Sequence, residues 1–323
     1  MKIAFVGKDG SGKTTLSSLF CRHLAAAGAP VLALDADINQ HLGAALGLDD
    51  AAAPVPMGEH LHEIKDYLRG DNPRVPSADV MVKTTPPGAG SRLLPLTDDN
   101  PLWRRFGIDA DGVRLVATGA FTDEDLGVAC YHSKLGAVEL LLNHLIDGAS
   151  EYAVVDMTAG ADAFASGLFT RFDHTFLVCE PTRKAVAVHR QYRDYAREFD
   201  ITLSVIGNKV TDQADEEFLR REVGDDLLVC VGPSAPVRAM EQGRPFHLDD
   251  LEPAIRIALD TIRDAVDATE HDPDVFLRQM HELHLRNARS WADTATGADL
   301  STQIDPGFAF PRARDPHQAV TTR

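Results

Sequence analysis

Residues 7–14 read Gly-Lys-Asp-Gly-Ser-Gly-Lys-Thr, which is a complete G-x-x-x-x-G-K-[ST] phosphate loop. The apolar run Ile3-Ala4-Phe5-Val6 precedes this loop, and a stretch with helical periodicity follows it. A strand, a glycine-rich loop and a helix in this order direct backbone N–H groups and a helix N-terminus at a phosphate. We therefore expect the chain to bind a nucleotide.

The loop residues have distinct predicted roles. Its glycines let backbone N–H groups close around a triphosphate without interference from a Cβ atom. Lys13 can reach the β- and γ-phosphates, and the hydroxyl of Thr14 can bind Mg²⁺. The predicted phosphate-binding residues are Gly7, Asp9, Gly10, Ser11, Gly12, Lys13, Thr14 and Thr15.

Composition limits the class of protein. The 323 residues are 44% hydrophobic, which is enough for a substantial core. The formal net charge of −17 opposes binding to a phosphate backbone, so DNA is not an expected partner. No apolar stretch reaches the roughly 18 residues of a membrane helix, and the N-terminal run is too short for a signal peptide. We expect a cytoplasmic protein with no membrane partner.

Short apolar runs recur along the chain, and most are separated by helix-periodic segments. This alternation predicts an α/β fold with a doubly wound, mainly parallel sheet and helices on both faces, over residues 1–270. The runs that we interpret as buried strands are 2–6, 31–34, 113–117, 152–155, 174–179, 202–207 and 226–231.

Three segments depart from this pattern. Residues 71–101 contain several prolines and no apolar period, so we interpret them as an irregular surface insertion. Helical spacing predicts a C-terminal helix over 271–296, in which His281 and His284 are interpreted as surface residues. Residues 297–323 are polar and rich in turn formers, which predicts a mobile tail.

Carboxylates follow two of the predicted strands. Asp35 and Asp37 come after the run 31–34, and Asp156 comes after the run 152–155. Because ligands of open α/β sheets collect at the carboxyl ends of strands, Asp35 and Asp156 are predicted to lie near Mg²⁺ and Asp37 to orient an attacking water. The alternatives are that Asp35 and Asp37 are solvated loop residues and that Asp156 caps a helix.

The base preference is predicted from Asn208 and Lys209, which follow the sixth strand. In the guanine-specific form of this turn an aspartate stands at the fourth position, which is Thr211 in this chain. The amide of Asn208 matches the N6 and N7 edge of adenine, so ATP is favoured, although Asp212 leaves GTP open. Pro233 is predicted to form the opposite wall of the base pocket.

Together these motifs resemble the deviant Walker A ATPases of the Min, Par, nitrogenase-iron-protein and Mrp group, over roughly residues 1–265. In that group an extra lysine of the loop crosses a dimer interface and contacts the nucleotide phosphates of the partner, and Lys8 is the matching position. The resemblance implies ATP, Mg²⁺ and a homodimer that forms on ATP binding. The motifs are Gly7–Thr15, Asp35 and Asp37, Asp156–Gly160, and Asn208–Lys209.

Within the group, the chain is similar to the carbon monoxide dehydrogenase maturation ATPases at residues 119–145, 156–160 and 179–182. Those proteins carry a Cys-x-Cys pair, and pairs from two subunits bind one metal ion. This chain has Cys130-Tyr131-His132 instead. One thiolate and one imidazole from each subunit would form a tetrahedral site for Zn²⁺ or Ni²⁺. The alternative is that Cys130 packs against the helix and His132 is exposed, with no metal.

The resemblance implies an ATP hydrolase that works as a molecular switch in the maturation or metal loading of a metalloenzyme client. Its catalytic residues would be Lys8, Lys13 and Asp37. The main alternative is a partition or positioning ATPase of the ParA and MinD type. A GTPase metallochaperone and a small-molecule kinase are further alternatives.

Overall fold

The computed structural model describes residues 1–49, 52–120, 131–158 and 167–311. Strands and helices alternate along most of these residues. The strands are β1 (Lys2–Gly7), β2 (Val31–Ala36), β3 (Leu94–Pro95), β4 (Ile108–Ala110), β5 (Val113–Ala117), β6 (Leu145–Ile146), β7 (Tyr152–Thr158), β8 (His174–Cys179), β9 (Thr202–Asn208) and β10 (Leu227–Val231).

Eight of these strands form one sheet, in the order β10-β9-β8-β1-β7-β2-β5-β4. Neighbouring strands run parallel except for β4 and β5, which pair antiparallel at one edge. The short strands β3 and β6 form a separate parallel pair. The predicted doubly wound, mainly parallel sheet is confirmed.

Helices cover both faces of the sheet. They are α1 (Lys13–Ala26), α2 (Leu42–Ala45), α3 (Leu61–Arg69), α4 (Pro101–Phe106), α5 (Tyr131–His144), α6 (Arg183–Glu198), α7 (Gln213–Val223), α8 (Ala235–Glu241), α9 (Pro253–Asp267), α10 (Pro273–Asn287) and α11 (Asp293–Thr296). A π-helical turn, Ala288–Ala292, joins α10 to α11.

Two apolar cores lie on the two sides of the sheet, and β1 contributes to both because successive side chains of a strand point to opposite faces. Ala4 and Val6 pack into the core beneath α5, α6 and α7. Ile3 and Phe5 pack into the core beneath α1 and α9. Burial on both faces explains why the central strands read as continuous apolar runs.

Two central strands extend beyond their predicted ends. β2 continues to Ala36 and β7 to Thr158, so Asp35 and Asp156 lie within strands and not after them. These two aspartates are also direct partners in the parallel register of β2 and β7. The sheet therefore holds both carboxyl groups side by side at its carboxyl edge, next to the phosphate loop.

Segment 71–101 is irregular in backbone conformation, but the prediction of a surface insertion is wrong. Thr84 and Thr85 are almost completely buried. The hydroxyl of Thr85 donates to Gln303 Oε1 at 2.9 Å, and Gln303 Nε2 donates to the carbonyl of Val80 at 2.8 Å. The segment therefore packs against the C-terminal part of the chain. The prolines of the segment do not indicate this contact.

The predicted mobile tail is wrong for part of its range. Residues Leu300–Gln303 form a 3₁₀ helix in which Leu300 is fully buried. The prediction of a surface position is also wrong for His284, which is fully buried on α10. Its Nε2 donates to the carbonyl of Leu300 at 2.9 Å, and its Nδ1 accepts from the hydroxyl of Thr84 at 3.2 Å. Residues 312–323 of the predicted tail lie outside the described ranges.

No helix within the described residues is both long enough and apolar enough to cross a bilayer.

Candidate nucleotide site

A cavity of about 760 Å³ lies at the carboxyl edge of the sheet, over the phosphate loop. Its floor is the loop and the start of α1, and its walls come from the segment after β2, from the turn after β9 and from α8. The lining residues are Asp9, Gly10, Gly12, Lys13, Thr14, Thr15, Asp37, Asn39, His41, Ala44, Ala45, Lys209, Met240, Glu241 and Gly243.

Two loop positions have geometric reasons to be glycine. Gly12 has a φ of 91°, and a Cβ atom there would lie 2.2 Å from Asn208 Nδ2. A Cβ atom at Gly7 would lie 2.4 Å from Ser11 Oγ. Close packing around the loop thus excludes side chains where the backbone must turn toward a ligand.

Lys13 is the first residue of α1, and its ammonium group is mostly buried. Its Nζ lies 2.7 Å from Asp37 Oδ2 and 3.9 Å from Asp9 Oδ1. Burial acts to lower the pKa of Lys13, but the hydrogen bond that Lys13 donates to Asp37 and the charges of Asp156, Asp37 and Asp9 outweigh it and raise the pKa. Lys13 is therefore a fixed cation at the N-terminus of a helix, where an anionic ligand is also stabilised by the helix dipole.

Thr14 and Asp156 form an oxygen-rich corner of the site. The hydroxyl of Thr14 donates to Asp156 Oδ2 at 2.6 Å. The other carboxylate oxygen of Asp156 is buried and has no hydrogen-bond partner among the described residues. A hydroxyl and an unpartnered carboxylate oxygen beside a phosphate loop are donors that Mg²⁺ prefers, so these residues fit the predicted metal.

Asp35 is buried beside Asp156, and burial shifts the pKa of both carboxyl groups. Burial and the charge of Asp156 raise the pKa of Asp35 to about 8. Burial also raises the pKa of Asp156 to about 7, although the hydrogen bond from Thr14 and the charge of Lys13 lower it. Asp35 Oδ2 accepts from the backbone N–H of Leu42 at 2.8 Å. Asp35 therefore supports the loop after β2 from a position beside Asp156.

Asp37 lies in the wall of the cavity, as its predicted role requires. One of its oxygens contacts Lys13, and Oδ1 accepts from the backbone N–H of Asn39 at 2.9 Å. The carboxylate is thereby held beside Lys13 in the wall of the cavity.

The turn after β9, which is predicted to contact the base, lies against the phosphate loop. Asn208 Nδ2 donates to the carbonyl of Ser11 at 2.7 Å. Lys209 has a left-handed φ of 58°, and its ammonium group donates to the carbonyl of Gly10 and contacts Glu180 Oε1 at 2.7 Å. These contacts join the carboxyl ends of three neighbouring strands. Pro233 is exposed and is absent from the lining of the cavity among the residues described.

Lys8 differs in position from the rest of the loop. The described lining of the cavity includes Asp9 and Gly10 but not Lys8. The proximity of Lys184, in the first turn of α6, lowers the pKa of Lys8, with a smaller contribution from burial.

The predicted transition-metal pair is only partly covered by the structure. His132 lies in the first turn of α5, and nothing is described of its side chain. Cys130 and Gly160 lie outside the described residues.

Residues 3–246 match the CobQ/CobB/MinD/ParA nucleotide binding domain. The chain belongs to this family. The matched range contains the phosphate loop, Asp35, Asp37, Asp156, Asn208 and Lys209. Membership of the MinD/ParA family confirms the predicted resemblance at the level of a nucleotide-binding P-loop domain.

Relatives of this MinD/ParA-family chain span most of its length. It is 30% identical over 260 residues to the carbon monoxide dehydrogenase accessory protein CooC of Rhodospirillum rubrum. The aligned residues cover 79% of this chain and 92% of that protein. It is 29% identical over 254 residues to an uncharacterised ATP-binding protein of Methanocaldococcus jannaschii, with coverage of 77% and 92%.

Two solved structures share the fold of this chain. MinD of Aquifex aeolicus matches with a TM-score of 0.53 at 19% identity, over 84% of this chain and 98% of that one. A putative plasmid partition protein of Borrelia burgdorferi bound to AMPPNP matches with a TM-score of 0.53 at 13% identity, over 86% and 99%. At these identities the likeness shows the fold alone.

Two residues of this site in the MinD/ParA-family chain could not be predicted from any sequence motif. The hydroxyl of Thr15 donates to Glu241 Oε1 at 2.7 Å, which attaches α8 to the phosphate loop. Glu180 holds Lys209 from the end of β8. Both carboxylates are far from the loop along the chain, and only the sheet order brings them to it.

Proposed function

We propose that this protein is a Mg²⁺-dependent ATPase that dimerises on binding ATP and acts as a switch in the maturation or metal loading of a metalloenzyme. Two nucleotides would lie at the interface of a homodimer. Hydrolysis would separate the subunits and so change the surface offered to a client protein.

One observation carries the dimer proposal. Lys13 lies in the wall of its own nucleotide cavity, whereas Lys8, in the same loop, is outside the described lining. A cation that is so close to the phosphates and does not face them in its own subunit is suited to a nucleotide bound by a second copy. A cation inserted in this way stabilises the charge that develops on the phosphates during transfer.

The other proposed roles follow from the contacts in the site. Lys13 binds the β- and γ-phosphates, which replace Asp37 as the partner of the Lys13 ammonium group. Asp37, released from Lys13, orients the attacking water. Thr14, Asp156 and Asp35 would hold Mg²⁺, and the ion would supply positive charge that neutralises the phosphates.

The contacts of Asn208 support adenine. Because its Nδ2 donates to the carbonyl of Ser11, its Oδ1 is the atom available to a base, and an acceptor suits the N6 amino group of adenine. Asp212, which left guanine open, is the N-cap of α7 and accepts from the backbone N–H of Asp215 at 3.0 Å. Thr211 is occupied as well, since its N–H and hydroxyl both donate to Asp215.

The metalloenzyme client is inferred from the relative named as a carbon monoxide dehydrogenase accessory protein, at 30% identity over most of both chains. In this proposal Cys130 and His132 from each subunit would bind Zn²⁺ or Ni²⁺ across the dimer. A thiolate and an imidazole are suitable ligands for either ion.

The test is Lys8→Ala, compared with the control Arg278→Ala, an exposed charge on α10. We expect Lys8→Ala to bind ATP with unchanged affinity, to lose ATP-dependent dimerisation and to lose 10³-fold or more in turnover, because a cationic finger commonly contributes about 10³–10⁵. Arg278→Ala should behave as the unmodified protein. Binding is measured by calorimetry, dimerisation by analytical ultracentrifugation and turnover by phosphate release.

The same proteins distinguish the alternatives. An unchanged turnover in Lys8→Ala would refute the proposed dimeric ATPase. Sedimentation with DNA in the presence of ATP would favour a partition ATPase, and tighter binding of GTP than of ATP would favour a GTPase metallochaperone.

A further inference from the structure

The side-chain amide of Gln40 closes the turn after β2. Its Nε2 donates to the backbone carbonyl of Asp37, and also to the carbonyl of Asp35 at 3.3 Å. Its Oε1 accepts from the backbone N–H of Gly119, just after β5, at 3.1 Å. The nitrogen end of the amide meets carbonyl acceptors and the oxygen end meets a donor, so these contacts fix its orientation. Gln40 therefore links the turn that carries Asp37 to the end of the neighbouring strand.

The backbone of Gln40 has a conformation that residues with a Cβ atom rarely adopt. Its φ is 51°, in the left-handed region. Its backbone N–H donates to the carbonyl of Asp37 at 3.3 Å, so the main chain and the side chain close the turn on the same oxygen. Strained residues persist only where surrounding contacts over-determine them, and they cluster at functional sites. The contacts of the amide provide this constraint for Gln40.

The anchor of the amide at Gly119 is itself held by packing. Gly119 has a φ of 104°, and a Cβ atom there would lie 2.5 Å from Pro56 Cβ. The carbonyl of the next residue, Ala120, accepts from Lys134 Nζ at 2.9 Å, and Lys134 is almost completely buried on α5. The turn after β2 is thus tied to a well-packed part of the fold.

This tie matters most once a nucleotide is bound. In the structure Asp37 Oδ2 lies 2.7 Å from Lys13 Nζ, and the proposed function has the phosphates take over that ammonium group. The turn 37–40 continues to hold the carboxylate after this exchange, because the backbone N–H of Asn39 donates to Asp37 Oδ1 at 2.9 Å. The position of the carboxylate then depends on whether the turn stays closed.

We propose that Gln40 is a positioning residue of the ATPase reaction, which keeps the Asp37 carboxylate where it can orient the attacking water. This inference rests on the proposed function, because it concerns the same carboxylate and the same reaction. Gln40 is not among the described residues that line the cavity, whereas Asn39 and His41 on either side of it are. It acts through Asp37 and does not contact the nucleotide, so its loss should lower kcat and leave KM unchanged.

The test compares Gln40→Met with Gln191→Met, the same substitution at an exposed position of α6. Methionine is unbranched and similar in length to glutamine, but it cannot form either contact of the amide. Gln40→Met should lower kcat by about 10- to 100-fold, because a misplacement of about 1 Å can cost about 10²-fold. The KM for ATP, the affinity and stoichiometry of ATP binding and ATP-dependent dimerisation should not change. Gln191→Met should match the unmodified protein in every measurement.

A second variant, Gln40→Asn, covers the case in which the methionine variant is unstable. Asparagine tolerates the left-handed conformation, but its amide is one methylene group too short to bridge the carbonyl of Asp37 and the N–H of Gly119. It should show the same loss of kcat at unchanged KM.

A double variant tests whether Gln40 acts through Asp37. Asp37→Asn should lower turnover by itself, and the addition of Gln40→Met should cause little further loss, because changes that act through one group are not additive. A full, independent loss from Gln40→Met in the Asp37→Asn protein would overturn the inference.

The outcomes distinguish this inference from the proposed function. If Asp37→Asn loses turnover while both Gln40 variants keep it, Gln40 is not a positioning residue and the ATPase proposal stands. If the Gln40 variants raise KM or weaken dimerisation, the residue acts on binding and the inference is wrong. If the unmodified protein hydrolyses no ATP, or if Asp37→Asn keeps full turnover, the proposed function itself fails. Thermal unfolding and the stoichiometry of ATP binding verify that each variant is folded.

Discussion

Replacing Glu139 by glutamine is expected to remove a pH-dependent loss of stability from this protein. Glu139 lies on α5 and is fully buried. Its Oε1 is 3.7 Å from Arg171 Nη2, and its Oε2 is 3.8 Å from Lys83 Nζ. Within the described chain neither oxygen has a hydrogen-bond partner. A carboxylate in this position is desolvated and only weakly compensated by its ion pairs.

The size of the effect follows from the shift in the pKa of Glu139. Burial raises this pKa from its ordinary value of 4.5 to about 7, although the charges of Arg171 and Lys83 lower it. Between these two pH values the folded protein keeps the proton that the unfolded chain has released. Stability therefore falls as pH rises, by roughly 1.4 kcal/mol per pH unit. The total loss up to pH 8 is about 3 kcal/mol.

Glutamine is close in shape to the protonated form of Glu139 and does not titrate. We expect Glu139→Gln to exceed the free energy of unfolding of the unmodified protein by less than about 1 kcal/mol near pH 5 and by about 3 kcal/mol near pH 8. The assay is urea unfolding without nucleotide at four pH values from 5 to 8. Burial lowers the pKa of His144 and of His284 to about 4, so these groups have the opposite effect on stability, but they cancel in the difference between the two proteins.

The control is Glu198→Gln, which removes an exposed carboxylate from α6. Its difference from the unmodified protein should not change with pH. A difference for Glu139→Gln that is also constant from pH 5 to 8 would refute the reasoning, because it would mean that Glu139 is ionised in the folded protein throughout this range.

Two further predictions concern the glycine loop and the metal. Gly12→Ala and Gly10→Ala both place a side chain at positive φ, at a cost of about 1–2 kcal/mol, but only Gly12→Ala also displaces Asn208 from Ser11, which should cost about 1 kcal/mol more in urea unfolding. Equal losses would contradict the observed contact. Purified ATP-bound dimer should contain one Zn²⁺ or Ni²⁺ by elemental analysis, and Cys130→Ala should contain none; equal metal content in the two proteins would exclude Cys130 as a ligand.

The strands could be predicted from the sequence because strands buried on both faces must be apolar throughout. Six of the seven predicted runs begin at the first residue of an observed strand, and the seventh run begins one residue before β10. The short strands β3, β4 and β6 were not predicted. Strands of two or three residues contain too few residues for a periodic pattern. The partners β3 and β6 are also distant along the chain, although β4 pairs with the next strand, β5.

The errors occur where burial is decided by distant contacts. Residues 71–101 read as an exposed insertion because proline and glycine interrupt any apolar period. Thr84 is nevertheless buried by a contact with His284, 200 residues away. A polar residue in a helix is usually exposed, so the burial of His284 depends on the partners that Thr84 and Leu300 provide for its ring.

By itself, the sequence determined the phosphate loop, the mainly parallel sheet and the aspartates at its edge. These depend on local requirements: glycines where the backbone turns toward a phosphate, apolar runs in buried strands, and acidic groups at strand ends. Only the tertiary structure decided which residues surround the loop. The order of the strands brings Glu180 to Lys209 and Glu241 to Thr15, because parallel strands that are distant in the chain end at the same edge of the sheet.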